Sequence, residues 1–162
     1  MYSNFPLKKK DSIMFNIRVY GILVEKGRIL VTDEFRLGIL MTKFPGGGLE
    51  YGEGTIDCLK REWREETGMN VQSIEHYYTT DFFQQSYKLP ETSQVINIYY
   101  RIQVEDSTNL KVTEKPFDFP ELIDGIQRFR WLEIARLSPD KFTLPIDKVV
   151  VQMLINDFTE IH

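Results

Sequence analysis

Three glutamates in the run Arg61-Glu62-Trp63-Arg64-Glu65-Glu66 stand at i, i+3 and i+4. On a helix turning about 100° per residue, that spacing gathers their carboxylates within an arc of about 100°. Like charges so placed repel by a few tenths of a kcal/mol per pair when exposed, and by more when partly desolvated. A cation would relieve the repulsion. Oxygen donors without histidine or cysteine suit hard divalent ions, so Mg²⁺ or Mn²⁺ is the expected cofactor, its remaining ligands coming from water and substrate phosphates. The competing reading is an exposed, solvated acidic helix with no ligand.

The element that must carry these acids is a short helix from about Ile56 to Thr67, with Thr55 as its cap and Gly68 as its left-handed stop. Ile56, Leu59 and Trp63 fall within about 60° beside the acids and form the expected core-facing side. Asp57, Lys60, Arg61, Arg64 and Thr67 fill the remaining arc as a solvated back face. Ahead of the helix, Pro45 precedes Gly46-Gly47-Gly48. This stretch reads as a loop whose bare backbone could turn a carbonyl onto a metal or N–H groups onto a phosphate. An ordinary tight turn is the plainer alternative.

Taken together, Gly47, Glu53, Arg61-Glu62, Glu65-Glu66, Gly68 and the apolar Met69 stand at fixed separations over 23 residues. The pattern resembles the Nudix box, with every charged and glycine position filled. The resemblance implies an α/β/α sandwich with a central mixed β-sheet, of the α+β class. It also implies hydrolysis of the pyrophosphate bond in a nucleoside diphosphate linked to another group. Carried over position by position, Glu62, Glu65 and Glu66 would act in catalysis by ligating the metal, and the Gly46 carbonyl would add a ligand. Glu53 and Arg61 would brace the loop against the helix. Trp63 departs from the aliphatic residue usual at its place, and its indole N–H needs a partner if buried. In similar proteins the general base is a box glutamate or an acid on a later loop, so Glu65, Glu121 and Asp124 are candidates. Homodimers are frequent among them.

Composition bounds the rest. The chain of 162 residues, 42% hydrophobic and 27% charged, suits one domain, 1–162, with residues 1–12 as an N-terminal arm bearing Lys8-Lys9-Lys10. No signal-like or bilayer-length apolar run is present, so a cytoplasmic protein without membrane partners is expected. Cys58 is the sole cysteine, which excludes an internal disulfide and a multi-cysteine zinc site, and its helical place suggests a packed small residue. A net charge of −4 argues against a surface for long nucleic acid, whereas a small nucleotide remains compatible with a bound metal.

Along the chain, strands are expected at Phe15–Val24, Ile29–Thr32, Gly38–Phe44, Val71–Phe83, Val95–Val104 and Phe129–Leu132. A closing helix over Pro145–Phe158 would bury Ile146, Val149, Val150, Met153 and Leu154. Arg36 and Lys43 are candidates to meet substrate phosphates, and Phe82, Phe83 and Tyr87 to stack on a base, although surface and core roles compete for each. His76 reads as structural. The irregular stretch Asn109–Ile126 is long enough to be functional. In the family it resembles, a proline downstream of the box marks ADP-ribose hydrolases and a tyrosine marks dinucleoside polyphosphate hydrolases. Tyr87, with no proline until Pro90, leans toward a dinucleoside polyphosphate or nucleoside triphosphate, while a nucleotide sugar stays open as a substrate. A catalytically idle nucleotide sensor on the same fold, and a purely structural interaction domain, are the alternatives.

Overall fold

The computed structural model describes residues 13–87 and 93–160. The expectations for Lys8–Lys10 and Pro90 lie outside them. The apolar run after Met14 forms β1 (Met14–Glu25), and Lys26 and Gly27 turn it at positive φ into β2 (Arg28–Arg36). There follow β3 (Ile39–Lys43), β4 (Gly46–Gly48), α1 (Thr55–Thr67), β5 (Val71–Thr79), β6 (Ser93–Val104) and β7 (Gln127–Glu133). Two short 3₁₀ turns, Ile134–Arg136 and Pro139–Lys141, lead into α2 (Pro145–Glu160).

The strands order as β3-β2-β1-β6-β5, with β4 on β1 and β7 on β2. β1 and β6 run parallel from Met14↔Ser93 to Leu23↔Ile102, whereas the other strand pairs are antiparallel. The sheet is therefore mixed. The β1–β2 hairpin pairs only at Val24↔Ile29 and Glu25↔Arg28, so the two strands diverge beyond its tip.

Strand alternation sends successive side chains to opposite faces, and each face has its own core. Tyr20, Ile22, Val95 and Tyr99 pack with Ile146, Val150, Val151 and Leu154 of α2. Val19, Leu23, Tyr100 and Ile102 pack with Cys58, Leu59 and Trp63 of α1. One helix covers each face, which makes an α/β/α sandwich of the α+β class.

Several local expectations are corrected. Gly54, not Thr55, is the N-cap of α1, and Thr55 is already helical with its hydroxyl bonded to Tyr100 Oη at 2.7 Å. Ile56 is exposed and Cys58 takes the inward place instead. The glycine stretch is a strand, pairing Arg18↔Gly48, Val19↔Gly47 and Tyr20↔Gly46, because β1 supplies a ladder where a loop was expected. The strand after α1 stops at Thr79, leaving Phe82 and Phe83 beyond it. On α2 the inward face turns to include Asp147 and Val151, while Val149 is exposed and Met153 only half-buried. Gly68 does close α1 in the left-handed conformation at φ 74°.

Candidate active site

The acidic helix and the glycine strand meet through absent side chains. A Cβ placed on Gly47 would fall 2.3 Å from the Glu62 carboxylate, so Glu62 occupies the space that any other residue there would fill. One residue earlier, the Gly46 amide donates to Glu66 Oε2 at 3.3 Å. Burial pushes the Glu66 carboxyl up to about 7; Lys43 opposes the shift, and nearby Glu62 adds to it. Two carboxylates thus share a partly desolvated corner in which negative charge is under-compensated.

Arg61 is the hub of this corner. Its Nη2 donates to Glu53 Oε1 at 2.6 Å and to the Gly48 carbonyl at 3.0 Å, and its Nε donates to Glu53 Oε2 at 3.0 Å. The other nitrogen, Nη1, reaches Glu62 at 3.0 Å and Glu65 at 3.3 Å. Those hydrogen bonds, with one from the Glu50 amide, hold the Glu53 carboxyl down at about 2. One guanidinium therefore joins β4, the turn after it and α1. Cys58 lies beneath with its thiol on the Gly48 carbonyl, and burial pushes that thiol up to about 12. It is an inert packed group.

Glu65 points outward, 59% exposed, toward Arg61. Among the described residues, no three acidic, thiol or imidazole side chains converge closely enough to form a ready cation cage. Glu62 and Glu66 nevertheless fit a hard divalent ion, because they are oxygen donors, one cradled by a Cβ-free backbone and the other short of positive charge. The contact seen for Gly46 is its amide to Glu66.

The remaining candidates divide. Lys43 is buried at 3% exposure and paired with Glu34 at 2.9 Å. Tyr20 and Glu66 also act on its ammonium, which ties it to the β1 side and to the acidic corner. Arg36 is exposed and 3.9 Å from Glu34. Asp124 Oδ1 accepts from the Leu37 amide at 2.5 Å, closing the β2–β3 turn, and Glu121 is exposed on the same loop. His76 bonds Thr79 and meets the Tyr100 ring edge-on.

A cavity of about 280 Å³ opens on the α2 face of the same strands, lined by Arg18, Tyr20, Met41, Tyr87, Asn97 and Ile146 among others. Tyr87 reaches it, whereas Phe83, 71% exposed, does not line it. Arg18 and Tyr20 are the β1 residues opposite Gly48 and Gly46, so β4 lies between the cavity and the acidic corner. Arg18 donates to Tyr20 Oη at 2.7 Å.

Sequence reasoning passed over Arg18, Glu34, Asn97, Tyr99 and Asp147. Each sits within an apolar-looking strand or helix, and only the polar interruption of the pattern, such as Asn97 in Val95–Val104, marked it. Asp147 is wholly buried, its Oδ1 accepting from Tyr99 Oη at 2.5 Å, and burial pushes its carboxyl up to about 7.

Comparison with known proteins agrees with this geometry. An RNA pyrophosphohydrolase of Bartonella bacilliformis is 27% identical over 110 residues, a match spanning 64% of this chain and 61% of that protein's length. A MutT structure from work on Aliivibrio salmonicida and Vibrio cholerae shares the fold at 22% identity and a TM-score of 0.62, over 88% of this chain and 98% of that one. A NUDIX hydrolase of Nitrosomonas europaea does so at 21% identity and a TM-score of 0.60, over 90% and 88%. The family model of the NUDIX domain matches residues 14–153. The chain belongs to the NUDIX domain family.

Proposed function

We propose that the protein is a divalent-metal-dependent hydrolase that cleaves the pyrophosphate bond of a nucleoside diphosphate linked to another group. The observation that carries the reading is the Glu62 carboxylate seated on Gly47 beside a Glu66 whose charge burial disfavours. The family membership and the pyrophosphohydrolase name of the Bartonella relative support it.

Glu62 and Glu66 would hold Mg²⁺ or Mn²⁺, joined by Glu65 and the Gly46 carbonyl. The ion would neutralise phosphate oxygens and make bound water more acidic. Arg61 keeps the two sides of that site in register by gripping Glu53 and the Gly48 carbonyl together. If Glu65, which is exposed to solvent, does not ligate the ion, it would be the box glutamate to take the proton of the attacking water. Glu121 is the freer of the two loop acids for that task, since Asp124 is engaged by the Leu37 amide. On the far side of β4, Tyr20 and Tyr87 offer aromatic faces for a base, and Arg18 a positive charge for phosphate.

The test is phosphate or nucleoside monophosphate release from nucleoside triphosphates, diadenosine polyphosphates, ADP-ribose and nucleotide sugars, with Mg²⁺, with Mn²⁺ and with chelator. Metal-dependent turnover of one class, lost by about 100-fold or more in Glu66→Gln, is the expected result; full turnover in that variant contradicts the metal assignment. The nucleotide-sensor reading draws on the absence, among the described residues, of three converging ligands. Tight nucleotide binding with no metal-stimulated release would establish it instead.

A further inference from the structure

The cavity beside β4 contains one polar group whose orientation is dictated from outside. Asn97 is 3% exposed and lines the cavity. Its backbone is pinned on both sides, the amide donating to Thr80 Oγ1 at 2.9 Å and the carbonyl accepting from the Thr80 amide at 2.9 Å. Its side-chain Nδ2 donates to Tyr99 Oη at 3.0 Å, and Tyr99 Oη in turn donates to Asp147 Oδ1 at 2.5 Å.

A phenol has one proton to give. Because Tyr99 commits that proton to a carboxylate, its oxygen can only accept, and Asn97 must turn its NH₂ toward it. The amide oxygen is left over. Asn97 Oδ1 is buried and has no hydrogen-bond partner among the described residues. Buried acceptors are rarely left unmatched, and each exception calls for a reason. Here the neighbouring surface is Tyr20, Tyr87, Val95, Met41 and Ile146, aromatic and apolar walls suited to a flat ring.

We propose that Asn97 is the specificity-determining residue of this cavity, its Oδ1 held by the Tyr99–Asp147 chain as an acceptor for an N–H on the bound nucleobase. The site thereby favours a base bearing an exocyclic amino group over the same base without it. Tyr99 and Asp147 are positioning residues that set which end of the amide is presented. The proposal rests on the reading of the protein as nucleotide-binding.

Matched ligand pairs test it at pH 8, above the value of about 7 to which burial raises the Asp147 carboxyl. The pairs are ATP against purine riboside triphosphate and GTP against inosine triphosphate, with KM measured in Mg²⁺, together with calorimetric binding of the corresponding nucleosides, which needs no turnover. The expected result is a preference of about tenfold or more for the amino-bearing member of at least one pair, since a site built for an N–H rejects the analogue lacking it. Asn97→Leu, close in size but without the acceptor, should abolish the preference. Tyr99→Phe should weaken it although Tyr99 does not line the cavity, with KM affected more than kcat. Equal affinity within both pairs for the unaltered protein, or a preference that survives in folded Asn97→Leu, overturns the inference. If no nucleotide is hydrolysed yet the nucleosides still show the preference, the hydrolase reading falls and this one stands.

Discussion

At the scale of single residues, the site depends as much on missing atoms as on present ones. Gly47→Ala would put a methyl group where the Glu62 carboxylate now lies, and a flexible glutamate tip can swing away at little cost to folding. The expected outcome is an unchanged melting temperature with kcat/KM reduced by about 100-fold, because a small displacement of a positioned group suffices for that loss. Steady-state kinetics beside thermal unfolding checks both halves. Asp147 carries a different prediction. Its folded carboxyl is raised to about 7, so its contribution to stability is full below the unfolded value of about 3.9 and is lost as pH rises through 7. Asp147→Asn keeps an acceptor for Tyr99 and removes the titration. Relative to the native protein it should gain stability between pH 5 and 8, by up to about 1.4 kcal/mol per pH unit below pH 7. Urea unfolding across that range checks the sign.

At the scale of elements, Trp63 decides how α1 sits on the sheet. It is fully buried, and a Cβ on Gly21 would lie 2.4 Å from its Nε1 and 2.7 Å from Cε2. The indole therefore lies against bare β1 backbone, and its N–H has no partner among the described residues. Gly21→Ala should destabilise by about 3 kcal/mol, at the upper end for overpacking because a rigid ring cannot yield. In a Trp63→Leu background the same change should cost much less, a non-additivity that a double-mutant cycle of denaturant unfolding would measure. A second tie joins four segments on the other half of the sheet. Asp33, wholly buried on β2, accepts from Arg130 of β7 at 2.8 Å through both carboxylate oxygens, from Thr42 of β3 at 2.7 Å and from the Phe117 amide at 3.2 Å. The long stretch after β6 is anchored by that bond, which gives its irregular sequence a structural purpose.

At the scale of the whole molecule, the legible parts were those set by local chemistry. Period-two strands, the αL glycine at Gly68 and the fixed separation of Glu53 and Arg61 all depend on near neighbours, so most strands, the end of α1 and the Glu53–Arg61 pair were legible, and the resemblance they carried supplied the sandwich. Errors fell where a distant partner overrode a local preference. The three glycines join a strand because β1 offers them a ladder, and the surface role weighed for Lys43 gives way to burial because Glu34, nine positions earlier, meets it across the β2–β3 pair. Asn97, Tyr99 and Asp147 form a chain across two elements, and its Tyr99–Asp147 link joins residues 48 positions apart. No helix among the described residues is long and apolar enough to cross a membrane.

The parallel pairing of β1 with β6 also bears on how the chain reaches this state. Its partners are separated by about eighty positions, so neither core can close until the intervening strands and α1 are in place and the ends have met. Long-range pairing of this kind places the entropy of loop closure ahead of its reward and slows folding toward the millisecond-to-second range. During synthesis, the apolar edge of β1 must wait for β6 with nothing beside it except β4 and the β2 hairpin. A nascent chain ending at Thr79 would expose that edge, and an early stop there should yield an aggregating fragment in place of a smaller folded one.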